Sequence, residues 1–174
     1  MRKGLPIGAT GIAVGRGAKT LITAGRTPFE NRAIYICIDG IGTYGELMGR
    51  LASVYLPEPV RFHTAGELMH IADGLLDEIG TAPRYEERRN FPSIGPPVHS
   101  RKEPVRAPRS IHFGEGARAT FEVQVYFRRN ATWQGEVRWI EQGEREMFRS
   151  AMELMHMLSD AATIGSELPK LAVN

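Results

Sequence analysis

The sequence contains a single cysteine, Cys37, and it has no long apolar run. One cysteine cannot form an intramolecular disulfide, which excludes a small secreted scaffold held together by disulfides. No apolar stretch approaches the roughly 20 residues that a membrane-spanning helix needs. The N-terminal passage MRKGLPIGATGIAVG has two basic side chains but lacks the continuous apolar segment of a secretion signal. We therefore expect a cytoplasmic protein without a membrane partner.

Motifs for catalysis and for cofactor binding are also lacking. The turn Gly8–Gly11 has no preceding strand, and Lys19 follows Ala18 where a Walker phosphate-binding loop has glycine. The chain has no G-x-S-x-G motif and no paired-carboxylate motif, and nothing in the sequence pairs Cys37 with a histidine. These absences favour a non-enzymatic protein with no catalytic residues, no cofactor and no metal. A small enzyme or metal-binding protein is kept as a third alternative.

Most of the basic residues are arginine, and few are lysine. Of the 22 basic residues, 18 are arginine and 4 are lysine. The planar guanidinium suits carboxylate and phosphate groups, although a GC-rich genome would also favour arginine codons. With 174 residues and 42% hydrophobic residues, the chain can bury a core as one domain or two small ones.

A short passage occurs twice. Residues 62–70 (FHTAGELMH) and 148–156 (FRSAMELMH) share six of nine residues at an offset of 86, and Gly49 and Gly135 keep the same offset. Both passages contain a Ser/Thr-x-x-Glu capping box, in which the glutamate carboxylate should reach back to the amide of the cap residue. The loop before each of these glycines is three residues longer in the first copy. The pattern predicts an internal duplication.

Each copy has the same predicted order of elements. The first has strands at 33–38 and 50–56 and a helix that Thr64 caps, whereas the second has strands at 119–127 and 136–140 and a helix that Ser150 caps. We predict an α+β protein of two β-β-α units that form a mainly antiparallel sheet with both helices on one face. The predicted organisation is an N-terminal arm or hairpin at 1–30, whose residues 11–25 extend the sheet, a first unit at 31–82, a Pro/Arg-rich linker at 83–118, a second unit at 119–165 and a tail at 166–174.

The segment 83–109 differs in composition from the rest of the chain. It holds six of the eleven prolines, and seven basic residues against three acidic ones. Such a composition is typical of an extended, solvated segment. A basic run could also follow the phosphates of a nucleic acid.

The passage FRRNATWQGEVRWIEQGEREMFRSAMELM begins at Phe127 and carries a specific pattern, F-R-x-N-A-[S/T]-W-Q-G-x-V-x-W followed by F-R-S-x-x-E-L. In this it resembles a group of small uncharacterised bacterial proteins, over residues 121–162. The resemblance implies a shared fold unit and implies no chemistry.

The loop within this passage concentrates cations, amides, a hydroxyl and an indole. We predict a partner-binding site at 128–134, made of Arg128, Arg129, Asn130, Thr132, Trp133 and Gln134. The leading hypothesis is a non-enzymatic protein that binds a protein partner here, with a mobile-element or phage-type origin. An alternative is nucleic-acid binding by Arg128, Arg129, Trp133 and the basic segment 84–109. In a third interpretation Trp133 folds back onto the core, and the side-chain amides of Asn130 and Gln134 hydrogen-bond the backbone of the turn.

The repeated Glu-x-x-His spacing is also found in di-iron carboxylate bundles. Helix geometry argues against a metal site, because His70 and His156 fall opposite the apolar faces of their helices. The glutamates, Glu67 and Glu153, are already used in the capping boxes. We expect both histidines to face solvent or an interface.

Overall fold

The computed structural model describes residues 19–25, 27, 30–86, 89, 91–94 and 107–165. The strands are β1 (Lys19–Ile22), β2 (Ile34–Ile41), β3 (Leu47–Ala52), β4 (Val60–Phe62), β5 (Ile111–Gly114), β6 (Ala119–Phe127), β7 (Gln134–Trp139) and β8 (Glu144–Phe148). The helices are α1 (Ala65–Ile79) and α2 (Ala151–Ile164), with one 3₁₀ turn at Pro92–Ile94. Neither α1 nor α2 is long and apolar enough to cross a membrane.

Six strands form one antiparallel sheet in the order β4-β3-β2-β6-β7-β8. The α+β class with an antiparallel sheet is confirmed. Each unit has one strand more than the sequence indicated, because the repeated phenylalanine ends a third short strand (β4 or β8) immediately before the helix. The first unit therefore reads β2-β3-β4-α1 and the second reads β6-β7-β8-α2.

The register at the centre of the sheet relates the two units by an approximate twofold axis. Tyr35 of β2 pairs with Glu122 of β6, and on either side Ile34 pairs with Val123 and Ile36 with Phe121. The same order of strands then follows outward in both directions. The β2–β3 loop and the β6–β7 loop consequently lie at opposite ends of the sheet.

The register also corrects the length predicted for the first loop. Ile38 pairs with Gly49, and at the equivalent place Val125, not Phe127, pairs with Gly135. The first copy is therefore longer by one residue and not by three. A bulge in β2 and another in β6 follow these pairs, and bulges are invisible to a simple alternation pattern.

Both helices pack on the face of the sheet that carries Ile36, Phe121 and Trp139. In α1 the buried residues are Leu68, Ala72, Leu75, Leu76 and Ile79, and in α2 they are Leu154, Leu158, Ala161 and Ala162. In both helices the buried positions recur three and four residues apart and so lie on one face. His70 and His156 are exposed, as predicted.

The capping boxes form, with one difference from the expected geometry. Thr64 accepts a hydrogen bond from the Glu67 amide at 3.1 Å, and Ser150 accepts one from the Glu153 amide at 3.0 Å. Each glutamate carboxylate accepts from the amide of the residue before the cap, at 2.7 Å in α1 and 2.6 Å in α2, instead of from the cap residue itself. Both cap residues are extended, which brings that earlier amide to the first turn.

The opposite face of the sheet is covered by β1 and β5, which pair with each other in a separate two-stranded sheet. The predicted hairpin at 11–25 does not extend the main sheet, and residues 11–18 lie outside the described part of the chain. The sequence did not predict β5, which lies within the proposed linker. Phe113 of β5 packs its ring 5.3 Å from that of Tyr35, and the Cys37 thiol donates to the Gly114 carbonyl oxygen at 3.4 Å. Burial raises the pKa of Cys37 to about 12.

The repeated glycines of β3 and β7 allow neighbouring backbones to approach closely. A Cβ at Gly49 would overlap the carbonyl oxygen of Cys37, and one at Gly135 would overlap that of Gln124. The conflict is with backbone atoms, which cannot turn away as a side chain can. The glycines in the repeat are thus required by the strand ladder beside each bulge.

We expect Gly49→Ala and Gly135→Ala each to lower the free energy of unfolding by about 2–3 kcal/mol, because the strands must separate to admit the methyl group. Gly74 is the matched control, since it is exposed inside α1 and a Cβ added there would meet no atom within 4 Å. Gly74→Ala should raise stability by about 0.5–1 kcal/mol through helix propensity. Urea denaturation of the three variants tests this, and equal effects at all three positions would contradict it.

Candidate binding site

The β6–β7 loop, residues 128–133, folds against the C-terminal half of α1. Trp133 is 5% exposed, and its indole Nε1 donates to Asp73 Oδ1 at 3.3 Å. Arg128 is 4% exposed. Of the alternatives for Trp133, packing against the core is the one that the structure shows.

Arg128 and Arg84 share a pair of carboxylates on α1. Arg128 Nε donates to the Ala82 carbonyl oxygen at 2.6 Å, and its Nη1 lies 2.6 Å from Asp77 Oδ1 and 3.2 Å from Asp73 Oδ1. Arg84 bonds both carboxylates as well, with Asp77 Oδ2 at 3.1 Å. Two cations and two anions therefore balance, and Arg128 has no exposed charge to offer a ligand. We call Arg84, Arg128, Asp73 and Asp77 the arginine–aspartate cluster.

The cluster perturbs the pKa values of Asp77 and Arg84. Burial alone would raise the pKa of Asp77, but hydrogen bonds from Arg84 and Arg128 outweigh burial and hold that pKa below its ordinary value. The hydrogen bond to Asp77 raises the pKa of Arg84. The cluster connects the second unit to the first through α1.

The cluster has no counterpart in the other half of the pseudo-symmetric fold. The α2 positions equivalent to Asp73 and Asp77 are Ser159 and Thr163. The two units therefore share a backbone plan and differ in chemistry at this loop.

The tip of the β6–β7 loop points backbone amides outward. Asn130 and Ala131 have φ values of 55° and 54°, which are uncommon outside glycine. Their N–H groups donate to the Glu86 carboxylate, at 2.8 Å to Oε1 and 3.4 Å to Oε2. Successive amides that converge in this way form a concave anion-binding site called a nest. Here the nest holds a side chain of the protein itself.

Two polar side chains brace the loop from within. Thr132 Oγ1 accepts from the Ala151 amide at 3.0 Å, which ties the loop to the first turn of α2. The Gln134 carboxamide accepts from the Arg129 amide at 3.1 Å and donates to the Arg129 carbonyl oxygen at 3.0 Å. Gln134 thus hydrogen-bonds the turn backbone, as one interpretation of the sequence predicted.

Arg129 is the one member of the predicted site with an exposed charged side chain in a defined stack. Its guanidinium lies 4.7 Å from the centroid of the Tyr85 ring and 5.0 Å from that of Phe127. Tyr85 is 57% exposed and Phe127 is 46% exposed. We call these three residues the stacked surface. The sequence prediction missed Tyr85, Phe127 and Glu86, and the only signal for Tyr85 was an aromatic residue within a charged, Pro-rich segment.

A cleft of about 700 Å³ opens beside the stacked surface. Its walls come from α1, the loop, the 84–89 segment and the start of α2, and they include Met69, His70, Asp73, Arg84, Arg89 and Ala151. The cleft combines apolar and charged groups in the way that binding sites for polar ligands do.

The repeated Glu-x-x-His motifs do not form a site. Glu67 and Glu153 serve the helix caps, and His70 and His156 are exposed on different helices. Within the described ranges, no group of three or more His, Cys, Asp or Glu side chains is placed to hold a metal ion.

Adjacent arginines should differ sharply in their effect on stability. Arg128→Ala leaves two aspartates with one partner and removes the donor to Ala82, so it should cost about 2–4 kcal/mol of unfolding free energy. Arg129→Ala is the matched control and should cost less than about 1 kcal/mol, because Arg129 is exposed. Chemical denaturation measures both. Similar costs for both variants would exclude the structural role of the cluster.

The cluster should also make the fold sensitive to acid. The pKa of Asp77 is lower in the folded protein than its ordinary value of 3.8, so its contribution is present above that pH and is lost as pH falls through the folded-state pKa. In Asp77→Asn, unfolding free energy should be lower at neutral pH and should fall less steeply below about pH 4 than in the wild type. Asp160→Asn, an exposed aspartate change on α2, should follow the wild-type pH profile. Parallel profiles for wild type and Asp77→Asn would refute this.

No protein-family model matches this chain, and no match was found among curated proteins or among solved structures. The function must therefore be inferred from the contacts and exposures of these residues.

Proposed function

We propose that this is a non-enzymatic interaction protein that binds a protein partner through the stacked surface and the adjoining cleft. The observation that carries the proposal is Arg129 held between two exposed aromatic rings, Tyr85 and Phe127. Tyrosine, phenylalanine and arginine are enriched in protein interfaces, and arginine and tyrosine are frequent binding hot spots.

Rigidity supports the same conclusion. The stack fixes the long Arg129 side chain before a partner arrives, which reduces the conformational entropy that binding would otherwise cost. Gln134 fixes the backbone of Arg129 at both its amide and its carbonyl. The loop is braced at Thr132 and anchored by Arg128, so the surface is carried by packed elements.

The proposed contact set differs from the six residues that the sequence suggested. Arg129 and Asn130 are exposed and remain in the site. Arg128 and Trp133 are buried, and they hold the loop in place without being available to a partner. Thr132 and Gln134 act on the loop conformation. We add Tyr85 and Phe127 as contact residues.

Nucleic-acid binding is the second candidate, and Arg129 beside two exposed aromatic rings is the observation that favours it. Aromatic rings and arginine also serve as platforms for single-stranded bases. The burial of Trp133 and the pairing of Arg84 and Arg128 with aspartates leave Arg129, Arg89 and Arg109 as its described cations. Residues 87, 88, 90 and 95–106 of the basic segment lie outside the described part.

We infer that the two units arose by duplication and that the second acquired the binding function. The support for this is the matching strand order, the self-complementary register around Tyr35, and the repeated Gly49/Gly135 pair. The cluster and the nest lie at one end of the sheet, where the loop of the second unit meets the helix of the first, and a function gained after duplication would lie there.

Affinity capture with purified protein as bait tests the proposal. A specific partner should be retained by the wild type and by the control variants Tyr44→Ala and Arg61→Ala, which change exposed residues on the β2–β3 loop and on β4. Tyr85→Ala and Arg129→Ala should each weaken binding of that partner, once purified, by about tenfold in calorimetry.

The same experiment separates the two candidates. Retention that disappears after nuclease treatment, together with affinity for heparin that falls steeply with salt, would replace the protein partner by a nucleic acid. Equal binding by the wild type, the stack variants and the controls would reject the stacked surface as the site.

A further inference from the structure

We propose that Glu86 is an internal ligand of the nest and that the external ligand is an acidic segment of the partner, whose Asp or Glu carboxylate replaces Glu86. This deepens the proposed function, on which it rests, by naming the chemistry of the partner. The Glu86 side chain then acts as an autoinhibitory strap across the binding site, while Arg84 and Tyr85 keep their contacts with Asp77 and Arg129.

The geometry of the nest is the first support. Two consecutive amides, those of Asn130 and Ala131, each point at one oxygen of a single carboxylate. Both residues hold a positive φ, a conformation that costs a non-glycine residue free energy. Converging amide donors in this conformation recognise a carboxylate by shape as well as by charge.

The exposure of the internal ligand is the second support. Glu86, Asn130 and Ala131 are all exposed, so another carboxylate can approach from solvent. The Glu86 carboxylate is held by the two amide hydrogen bonds of the nest, whereas Arg84 and Tyr85 are anchored separately through Asp77 and Arg129. Exposed contacts to a charged group contribute little stability, so releasing Glu86 is inexpensive.

The charge around the nest is the third support. Within the cluster the two arginines and two aspartates cancel, so they attract no further anion. Arg89 lines the cleft and Arg129 lies at the stacked surface, and neither forms an ion pair with a described residue. When Glu86 leaves, two amides and two nearby cations face the open site. This favours a segment that presents an Asp or Glu carboxylate to the nest.

Competition from the strap sets the affinity of the wild type. Because Arg84 is anchored two residues before it, the Glu86 carboxylate has an effective concentration at the nest of about millimolar, and any external ligand must displace it. The apparent affinity of the wild type is therefore reduced by the fraction of molecules with the nest occupied. Removing the carboxylate of Glu86 should reveal the intrinsic affinity of the nest.

The probe is a synthetic blocked peptide with the sequence of residues 83–88, PRYEER, because it carries the carboxylate that the nest already holds. Its control has Gln at the positions of both Glu86 and Glu87, so that it carries no carboxylate. Each peptide is titrated into the full-length wild type, into Glu86→Gln and into Glu58→Gln. Glu58 is the matched control, because it is an exposed glutamate between β3 and β4, outside the nest and the cleft. Amide chemical shifts in NMR spectra report both the affinity and the place of binding.

We expect PRYEER to bind Glu86→Gln at least about fivefold more tightly than the wild type, with the largest shifts at the Asn130 and Ala131 amides. Glu58→Gln should behave as the wild type, and the Gln peptide should bind Glu86→Gln several-fold more weakly than PRYEER. Equal affinities for wild type and Glu86→Gln, or shifts that spare both amides, would overturn the proposal. Inorganic phosphate is titrated in parallel, and a response to phosphate without one to PRYEER would assign the nest to a free anion and overturn the acidic-peptide proposal.

Failure of this proposal and failure of the proposed function give different results. If partner binding depends on Arg129 and Tyr85 but Glu86→Gln changes nothing, the nest proposal fails and the stacked surface stands. If PRYEER binds at the nest of Glu86→Gln but the Arg129→Ala change leaves partner affinity unaltered, the nest proposal holds and the proposed function fails. Circular dichroism of each variant confirms that the loop changes leave the fold intact.

Discussion

The antiparallel pairing of β2 with β6 holds the two halves of the chain in one sheet. Because Tyr35 and Glu122 face each other at its centre, every outer strand and both helices take symmetric positions from this one register. The pairing joins residues some 87 positions apart, so it depends on buried apolar side chains of both strands and not on local sequence. A shift by one residue would turn Ile36 and Phe121 away from the helices.

A second long-range constraint acts at the end of that sheet. Arg128 leaves β6 and enters a position where α1 ends, so its guanidinium meets the Ala82 carbonyl oxygen and two carboxylates together. Cations are favoured near the C-terminus of a helix. This contact directs the loop inward and leaves Arg129, the next residue, on the outside. Arg128 is thus buried and Arg129 exposed because successive side chains of a strand point in opposite directions and because α1 ends beside Arg128.

Much of the fold follows from local patterns in the sequence. Strict alternation predicted β6 with its observed bounds, and capping boxes predicted the starts of both helices. The third strand of each unit is too short to show alternation, and β5 lies among prolines and charges that mask it. For the site, the sequence located the correct loop but not the direction of its side chains. Direction depends on Asp73, Asp77 and Glu86, whose positions relative to the loop come only from the tertiary structure.

The pseudo-twofold scaffold is symmetric in backbone and asymmetric in chemistry, and this determines the valency of the molecule. A protein with equal loops at both ends of its sheet would present two like sites and could cross-link its partners into open assemblies. Ser159 and Thr163 in α2 cannot hold an arginine as Asp73 and Asp77 do, so among the described residues only the β6–β7 end is built this way. The proposed site would therefore occur once per molecule, and a complex formed there would terminate rather than propagate.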